Sequence, residues 1–372
     1  MQWKSYPDES NIEEIKKIVE RYFTVYESKQ EENIFAFFIK LPLQEEMIQQ
    51  NFDSLLKELK EKNLIPFLRE RDGEHVIFVA YKPKVKGKPK WVNILLFVTT
   101  VITTMLSGAI LFKGEGSWWS ILSFEKLLNG LIFFSLPLLS ILGIHELRHY
   151  FVSKKHGIAS SLPFFIPIPP NPVLPLGTMG AVISMREPIP DRKALLDIGI
   201  AGPLAGFLVA IPVLLIGLKL SSLISVEEIP KGTPLLGEPL LFSIISSLAV
   251  HVEPGYVINL HPTAFAGWVG LLVTAINLLP AGQLDGGHIA RAVLKEKHRY
   301  ASFATVILLA SLSFIGMGNW LFFLLLLVFL IGTEHPPPLN EFTPLDGKRK
   351  LLALIALLIF ILSFTPMPFS SA

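Results

Sequence analysis

The spacing of apolar positions changes character along this chain. In the first 80 or so residues it is helical and then alternating, and afterwards it gives way to long unbroken apolar runs. Residues 13–21 and 52–62 carry apolar side chains at helical intervals, and each stretch is followed by two runs rich in aromatic and β-branched residues. The second pair of runs turns at Asp72-Gly73, a dipeptide suited to a two-residue hairpin. Laying residues 13–42 over 54–83 aligns helix with helix, Phe35-Ala36-Phe37-Phe38 with Val76-Ile77-Phe78-Val79, and Pro42 with Pro83, which reads as a degenerate αββ repeat. The expectation is a small soluble α+β domain over residues 1–80 with one antiparallel sheet. Its charged helix faces read as solvated surface, and it holds no catalytic constellation.

A linker over residues 81–91 carries Lys82, Lys84, Lys86, Lys88 and Lys90 up to the first apolar run. The runs that follow cover residues 92–112, 128–153, 194–220, 263–280, 301–315, 320–332 and 351–366. A bilayer core needs ~20 residues of helix, so about seven spans are expected; the fifth and sixth fall short and flank Gly316-Met317-Gly318-Asn319 as a tight hairpin. Lys154 and Lys155, Arg192 and Lys193, Lys295, Lys297 and Arg299, and Lys348 to Lys350 all fall on the side shared with the linker. Positive charge is retained on the cytoplasmic side, so the N-terminal domain is expected there. The fold class is therefore a polytopic α-helical membrane protein with a small N-terminal α+β cytoplasmic domain.

Two connections are unusual. Residues 160–190 are apolar but interrupted by Pro163, Pro167, Pro169, Pro170, Pro172 and Pro175, so they cannot form a spanning helix, and residues 177–185 read as a strand. The expectation is a membrane-dipping β segment between the second and third spans whose edge, at Gly180 and Val182, pairs with an extended substrate; a loop that only seals the core is the alternative. On the outer side, residues 239–252 suit an interfacial or re-entrant helix. Glu334-His335-Pro336-Pro337-Pro338 opens a cytoplasmic loop as a rigid polyproline turn.

Composition agrees with the class. Hydrophobic residues make up 51% of the chain, charged residues 17%, and mean hydropathy is +0.51. The net charge of +2 is not gathered on a soluble face, so no nucleic-acid partner is expected. There is no cysteine, which excludes disulfides and thiolate-held metals. The polar, acidic residues 1–13 show no cleavable signal pattern, and insertion is expected to rely on internal spans.

Into this apolar background are set His145-Glu146-Leu147-Arg148-His149. On a helix His145 and His149 share a face, so both imidazoles can reach one Zn2+ with Glu146 beside them as a base. Ionisable groups cost roughly 2.5 kcal/mol or more at membrane depth, which makes such a cluster a functional candidate; an ordinary wet helix end is the alternative. Lys154 and Lys155 put the motif within about two turns of the cytoplasmic end. Arg148 would face away from the metal and snorkel. A hydrolytic zinc site takes a third protein ligand. Asp285 is the best candidate, at the cytoplasmic end of the fourth span, with His288 its nearest rival as a ligand or as a partner of one.

With both segments in hand, the chain resembles the site-2 protease family of intramembrane zinc metalloproteases, in the branch with extra N-terminal sequence. The first segment matches the family's His-Glu-x-x-His, and residues 277–286 match its Asn-x-x-Pro-x-x-x-Leu-Asp-Gly. Gly202-Pro203-Leu204-Ala205-Gly206 is similar to the small-residue segment of the family's third core span. The resemblance covers residues 128–300, a three-span core; residues 92–127 and 301–372 are additions. It implies one Zn2+ per chain held by His145, His149 and Asp285, with Glu146 as the catalytic base. It places Asn277 near the substrate, although interhelical bonding is an equal reading of that amide. The implied activity is regulated intramembrane proteolysis, with a transmembrane protein or peptide as substrate and the lipid bilayer as surroundings. Two other classes stay open: a transporter or channel using His, Glu and Asp for ion or proton movement, and an inactive protease-like scaffold.

Overall fold

The computed structural model describes residues 9–31, 34–82, 87–112, 121–170, 175–315 and 319–371. Lys84, Lys86, Pro172, Pro83, Gly316, Met317 and Gly318, singled out above, lie outside the described residues, as do residues 1–8.

The N-terminal unit is α1 (Glu9–Glu20), β1 (Thr24–Glu31), β2 (Ile34–Lys40), α2 (Glu45–Glu61), β3 (Leu64–Arg71) and β4 (Glu74–Tyr81). Its sheet runs β1-β2-β4-β3 with every neighbour antiparallel. The two hairpins therefore meet along β2 and β4, where Phe35 pairs with Val79 and Phe38 with Val76. These are the segments the internal repeat superimposes, so the two αββ halves face one another. Asp72 and Gly73 both have positive φ (53° and 83°), as a two-residue hairpin turn requires. The α2 helix begins at Glu45 rather than at residue 52, with Glu45 and Glu46 in its first turn, where the helix dipole favours acids. Ile15, Ile18 and Val19 of α1 and Phe52, Leu55 and Leu59 of α2 bury against Phe35, Phe37, Ile77 and Val79.

The remaining elements are α3 (Lys90–Leu111), α4 (Phe124–Lys155), β5 (Phe164–Pro167), β6 (Thr178–Val182), α5 (Arg192–Lys219), β7 (Ser222–Ser225), β8 (Pro234–Leu236), α6 (Leu240–Ala249), β9 (Tyr256–Asn259), α7 (Pro262–Asn277), α8 (Asp285–Leu294), α9 (His298–Ile315), α10 (Leu321–Ile331), α11 (Gly347–Ser363) and β10 (Phe369–Ser371). Four stretches are long and apolar enough to cross a membrane: α3, α4, α5, and α8 with α9 taken together as Asp285–Ile315. With the apolar background and the strands of the N-terminal unit, they fit a multi-pass membrane protein that carries an α+β region. Two boundaries differ from expectation. The fourth apolar run stops being helical at Asn277, and Asp285 opens the next helix instead of closing that run.

Helix α5 is the centre of the bundle and packs on α4, α7, α8 and α11. Its N-terminus is fixed by Asp191, whose side chain accepts from Ala194 N at 2.7 Å. Helix α4 carries a π turn at Leu131–Ser135 just after it crosses α3. There a Cβ on Gly108 would lie 2.6 Å from the Gly130 carbonyl, so the two glycines permit the close crossing.

Residues 335–340 form a strap between the two parts of the molecule. Leu339 is buried in the core of the N-terminal unit, and its carbonyl accepts from Leu68 N at 2.9 Å, on the open edge of β3. On the strap's other side Leu339 N and Asn340 N donate to the carbonyls of Ile189 and Pro190 at 2.8 and 2.9 Å. The strap thus extends the N-terminal sheet towards the first turn of α5. The prolines of this segment do more than stop a helix: they hold it extended for that pairing.

Candidate metal centre

The two histidines come from α4, where a spacing of four residues puts both rings on one face. Asp285 comes from α8, first residue after the turn 278–284. His145 Nε2 and His149 Nε2 lie 3.1 Å apart, and each is 3.2 Å from Asp285 Oδ2. Tetrahedral bonds of about 2.0–2.1 Å would separate their donor atoms by about 3.3 Å. The triangle is thus the right size for one ion. Among the described residues these three form the one group of potential metal ligands that converges on a point.

The chemistry of the set also asks for a cation. Two imidazole lone pairs and a carboxylate oxygen crowd together, with the histidines buried at 4% and 5% exposure. The tautomer of His149 is set by its other nitrogen, since Nδ1–H donates to the Ile198 carbonyl at 2.9 Å and leaves the Nε2 lone pair facing Asp285. Neutral nitrogen and carboxylate donors with no sulfur suit zinc.

The separation between α4 and α8 is gauged by glycines of α5. A Cβ built on Gly202 would run into His149 Nε2 and come within 2.7 Å of His145 Nε2, and one on Gly206 would sit 3.3 Å from the His145 ring. On the neighbouring turn, a Cβ at Gly199 would lie 2.8 Å from His288 Cβ and 2.9 Å from the Asp285 carbonyl. One glycine-lined face of α5 therefore admits the histidines and the aspartate helix together. Gly202 and Gly206 are legible in the sequence as helix-packing residues, whereas Gly199 stands outside that small-residue segment. Gly286 and Gly287 let the turn close, because side chains there would strike the carbonyls of Leu278 and Gly282.

Glu146 is buried beside the triangle, its Oε1 3.9 Å from His145 Nε2, with its carboxylate against the backbone of Ile183. Arg148 is exposed on the far side of α4. His288 is not brought to the ligand triangle. Its Nδ1 pairs with His335 Nε2 at 2.6 Å, while His335 Nδ1–H donates to the Pro336 carbonyl at 2.6 Å. Burial and the neighbouring His288 push His335 down to about 3, so that imidazole is neutral at pH 7. The strap thereby grips α8 one turn beyond Asp285. Asn277 is the last, half-buried residue of α7, and no hydrogen bond of its side chain is found among the described residues.

The proline-broken segment forms the β5–β6 hairpin, with Phe164 opposite Val182 and Phe165 opposite Ala181. Gly180 has φ +97° and open space around it, and Val182 is 51% exposed. Among the described residues β5 is the sole partner of β6, which leaves the other edge of β6 open near Glu146.

Residues 133–317 match the family model described as Peptidase family M50. The chain is 31% identical over 232 residues to a protein named "Probable zinc metalloprotease EGY2, chloroplastic" from Arabidopsis thaliana, covering 62% of this chain and 41% of that protein. It is 31% identical over 237 residues to "Probable zinc metalloprotease EGY1, chloroplastic" from the same plant, covering 61% and 41%. A third relative, "Probable zinc metalloprotease EGY2, chloroplastic" from Oryza sativa subsp. japonica, is 28% identical over 300 residues, 77% of this chain and 52% of the relative. The chain thus spans about half or less of the length of these relatives. No solved structure gives a significant match.

Proposed function

Because the chain belongs to peptidase family M50, the site-2 protease family, we propose that it is an intramembrane zinc metalloprotease. It would hydrolyse peptide bonds within or next to the transmembrane segments of membrane-anchored substrates. The observation that carries this reading is the convergence of His145, His149 and Asp285 on one point with Glu146 alongside, inside an apolar helix bundle. In this reading those three side chains hold the ion and the chain has about seven crossings, the shorter ones at α7, α9, α10 and α11. Lys155, Lys193 and Lys348 then mark the cytoplasmic side. The N-terminal unit sits at that end, where Lys193 Nζ donates to Gln49 Oε1 of α2 at 2.7 Å.

Zinc, when bound, supplies Lewis acidity that polarises the scissile carbonyl and acidifies the attacking water. Glu146 takes the proton of that water at its carboxylate and passes it to the leaving amine. The Ile198 carbonyl, through His149 Nδ1, keeps the ring in the tautomer that offers Nε2. Asn277, at the end of α7, is assigned to the substrate carbonyl. A transmembrane helix hides its amides in its own hydrogen bonds and must unwind before cleavage. The β5–β6 hairpin, dipping into the membrane, offers the unwound segment a strand edge around Gly180 and Val182.

The test uses the purified chain in nanodiscs with a transmembrane peptide. Cleavage is expected, lost on chelation and regained with Zn2+. Ion or proton flux with no cleavage would overturn the reading in favour of transport. For the hairpin, Val182→Pro removes a backbone N–H and breaks the pairing with Phe164. Most cleavage should be lost with zinc content unchanged, and wild-type cleavage by this variant would refute strand addition.

A further inference from the structure

We propose that Glu187 is a positioning residue through which the N-terminal unit sets the strand that receives the substrate; the proposal rests on the protease reading above. The antiparallel pairing that begins in β5–β6 does not stop at Val182. Ser161 N donates to the Ser184 carbonyl at 3.0 Å, Ser184 N to Ser161 Oγ at 2.9 Å, and Arg186 N to the Ala159 carbonyl at 2.8 Å, with a bridge between Ser160 and Met185. The strand therefore runs on to residue 186, and Glu187 is its next residue.

Both carboxylate oxygens of Glu187 are held by the N-terminal unit. Lys60 Nζ, from the last turn of α2, lies 3.0 Å from Oε2, and Lys82 Nζ, just beyond β4, lies 2.5 Å from Oε1. The Glu187 side chain is 12% exposed. Burial raises its carboxyl, but the two lysines outweigh that effect and hold it below the usual carboxylate range. Lys82 is itself fixed by its backbone N–H, which donates to the Asn63 carbonyl at 2.7 Å. A carboxylate this enclosed, with a lysine on each oxygen, resists being left unpaired.

The other end of the strand is tied to a different element. Thr103 Oγ1 of α3 donates to the Gly177 carbonyl at 2.6 Å, and a Cβ on Gly177 would lie 2.5 Å from the Thr103 carbonyl. The strand is stretched between α3 at residue 177 and the N-terminal unit at residue 187. Ile183, beside Glu146, lies between the two ties, and Glu187 is about 13 Å further along if the strand is extended. Releasing the second tie leaves that end of the strand held only from Ile189 and Pro190 onward, and loosens it while leaving the donors His145, His149 and Asp285 and the helix that carries Glu146 in place. The consequence belongs to substrate binding and not to the chemical step.

The full chain in nanodiscs is compared as wild type, Glu187→Gln, and the pair Lys60→Met with Lys82→Met. Each variant should raise KM for a transmembrane peptide about tenfold with kcat and zinc content unchanged. Amide hydrogen exchange over residues 178–186 should accelerate, while exchange in α4 and α5 stays as it was. Charge reversal, Glu187→Lys with Lys60→Glu and Lys82→Glu, should restore most of the KM. Should Glu187→Gln fail to fold, the lysine pair carries the same measurement, since both lysines are about one-third exposed. A wild-type KM with unchanged exchange overturns the proposal, and so does a fall in kcat at constant KM. Absence of cleavage by the wild type would sink the protease reading instead, and the exchange result would still decide whether the clasp holds the strand.

Discussion

Glu146→Gln is expected to abolish peptide hydrolysis while leaving the metal in place. The triangle of His145, His149 and Asp285 proposed to hold the ion is complete without Glu146: its three donors lie 3.1–3.2 Å apart, whereas the Glu146 carboxylate stands 3.9 Å from the nearest of them. The amide is almost the same size and keeps the packing against Ile183, but it cannot take a proton from water at neutral pH. General base catalysis is worth about 10²–10⁴-fold, so the loss should be of that order or larger where the same group also protonates the leaving amine. Two readouts are needed, the rate of cleavage of a transmembrane peptide and the metal content by mass spectrometry. Loss of zinc together with activity would show that Glu146 holds the ion and would remove the base from the mechanism.

Gly202→Ala should be the single methyl that acts most directly on the donor triangle. It adds no charge and favours helix by about 1 kcal/mol relative to glycine, so propensity alone predicts a slightly more stable protein. The position decides otherwise. The new methyl would overlap His149 Nε2 and crowd His145 Nε2 at 2.7 Å, the two nitrogens proposed to bind the ion. Either the rings turn away or α4 moves off α5, and in both cases the donor triangle opens. Zinc affinity should fall about 100-fold or more, beyond the usual effect of altering a residue that only supports the ligands. Competition with a metal-chelating dye measures it. A variant that binds zinc as the wild type does would show that α4 and α5 can separate freely, contrary to the packing seen here. Gly206→Ala, whose methyl would press on His145 at 3.3 Å, a tight contact but not an overlap, serves as the milder control.

What could be read from the chain alone was local. His145, Glu146 and His149 announce themselves because four residues make one helical turn, and the Asp72-Gly73 hairpin because two adjacent positive-φ residues need such side chains. Asp285 was found through its motif, but its setting was misplaced. Hydropathy does not register that the helix ends at Asn277 and restarts at Asp285, since the intervening Leu278, Leu279 and Ala281 are as buried as any helical residue. The glycines of α5 were visible as small residues, yet what they are small for depends on two other helices. His335 was read only as a neighbour of prolines. Its partner His288 lies 47 residues away, and no periodicity links the two. Glu187 gave no signal at all, because its lysines come 127 and 105 residues earlier and each looks like ordinary solvated charge.

The strap gives the order of synthesis a structural consequence. The Leu339 carbonyl that closes the edge of β3 also accepts from Arg69 Nη1, across 270 residues of chain. A ribosome finishes the first four strands long before it makes the residue that completes their sheet, and nearly all the hydrophobic helices are translated in the interval. During that time the nascent soluble part carries an unprotected strand edge, the kind of surface that chaperones cover and that pairs wrongly with other chains. It can seat itself only once the helices as far as α10 have been delivered. Seating of the N-terminal unit is thereby tied to synthesis of the chain as far as residue 339.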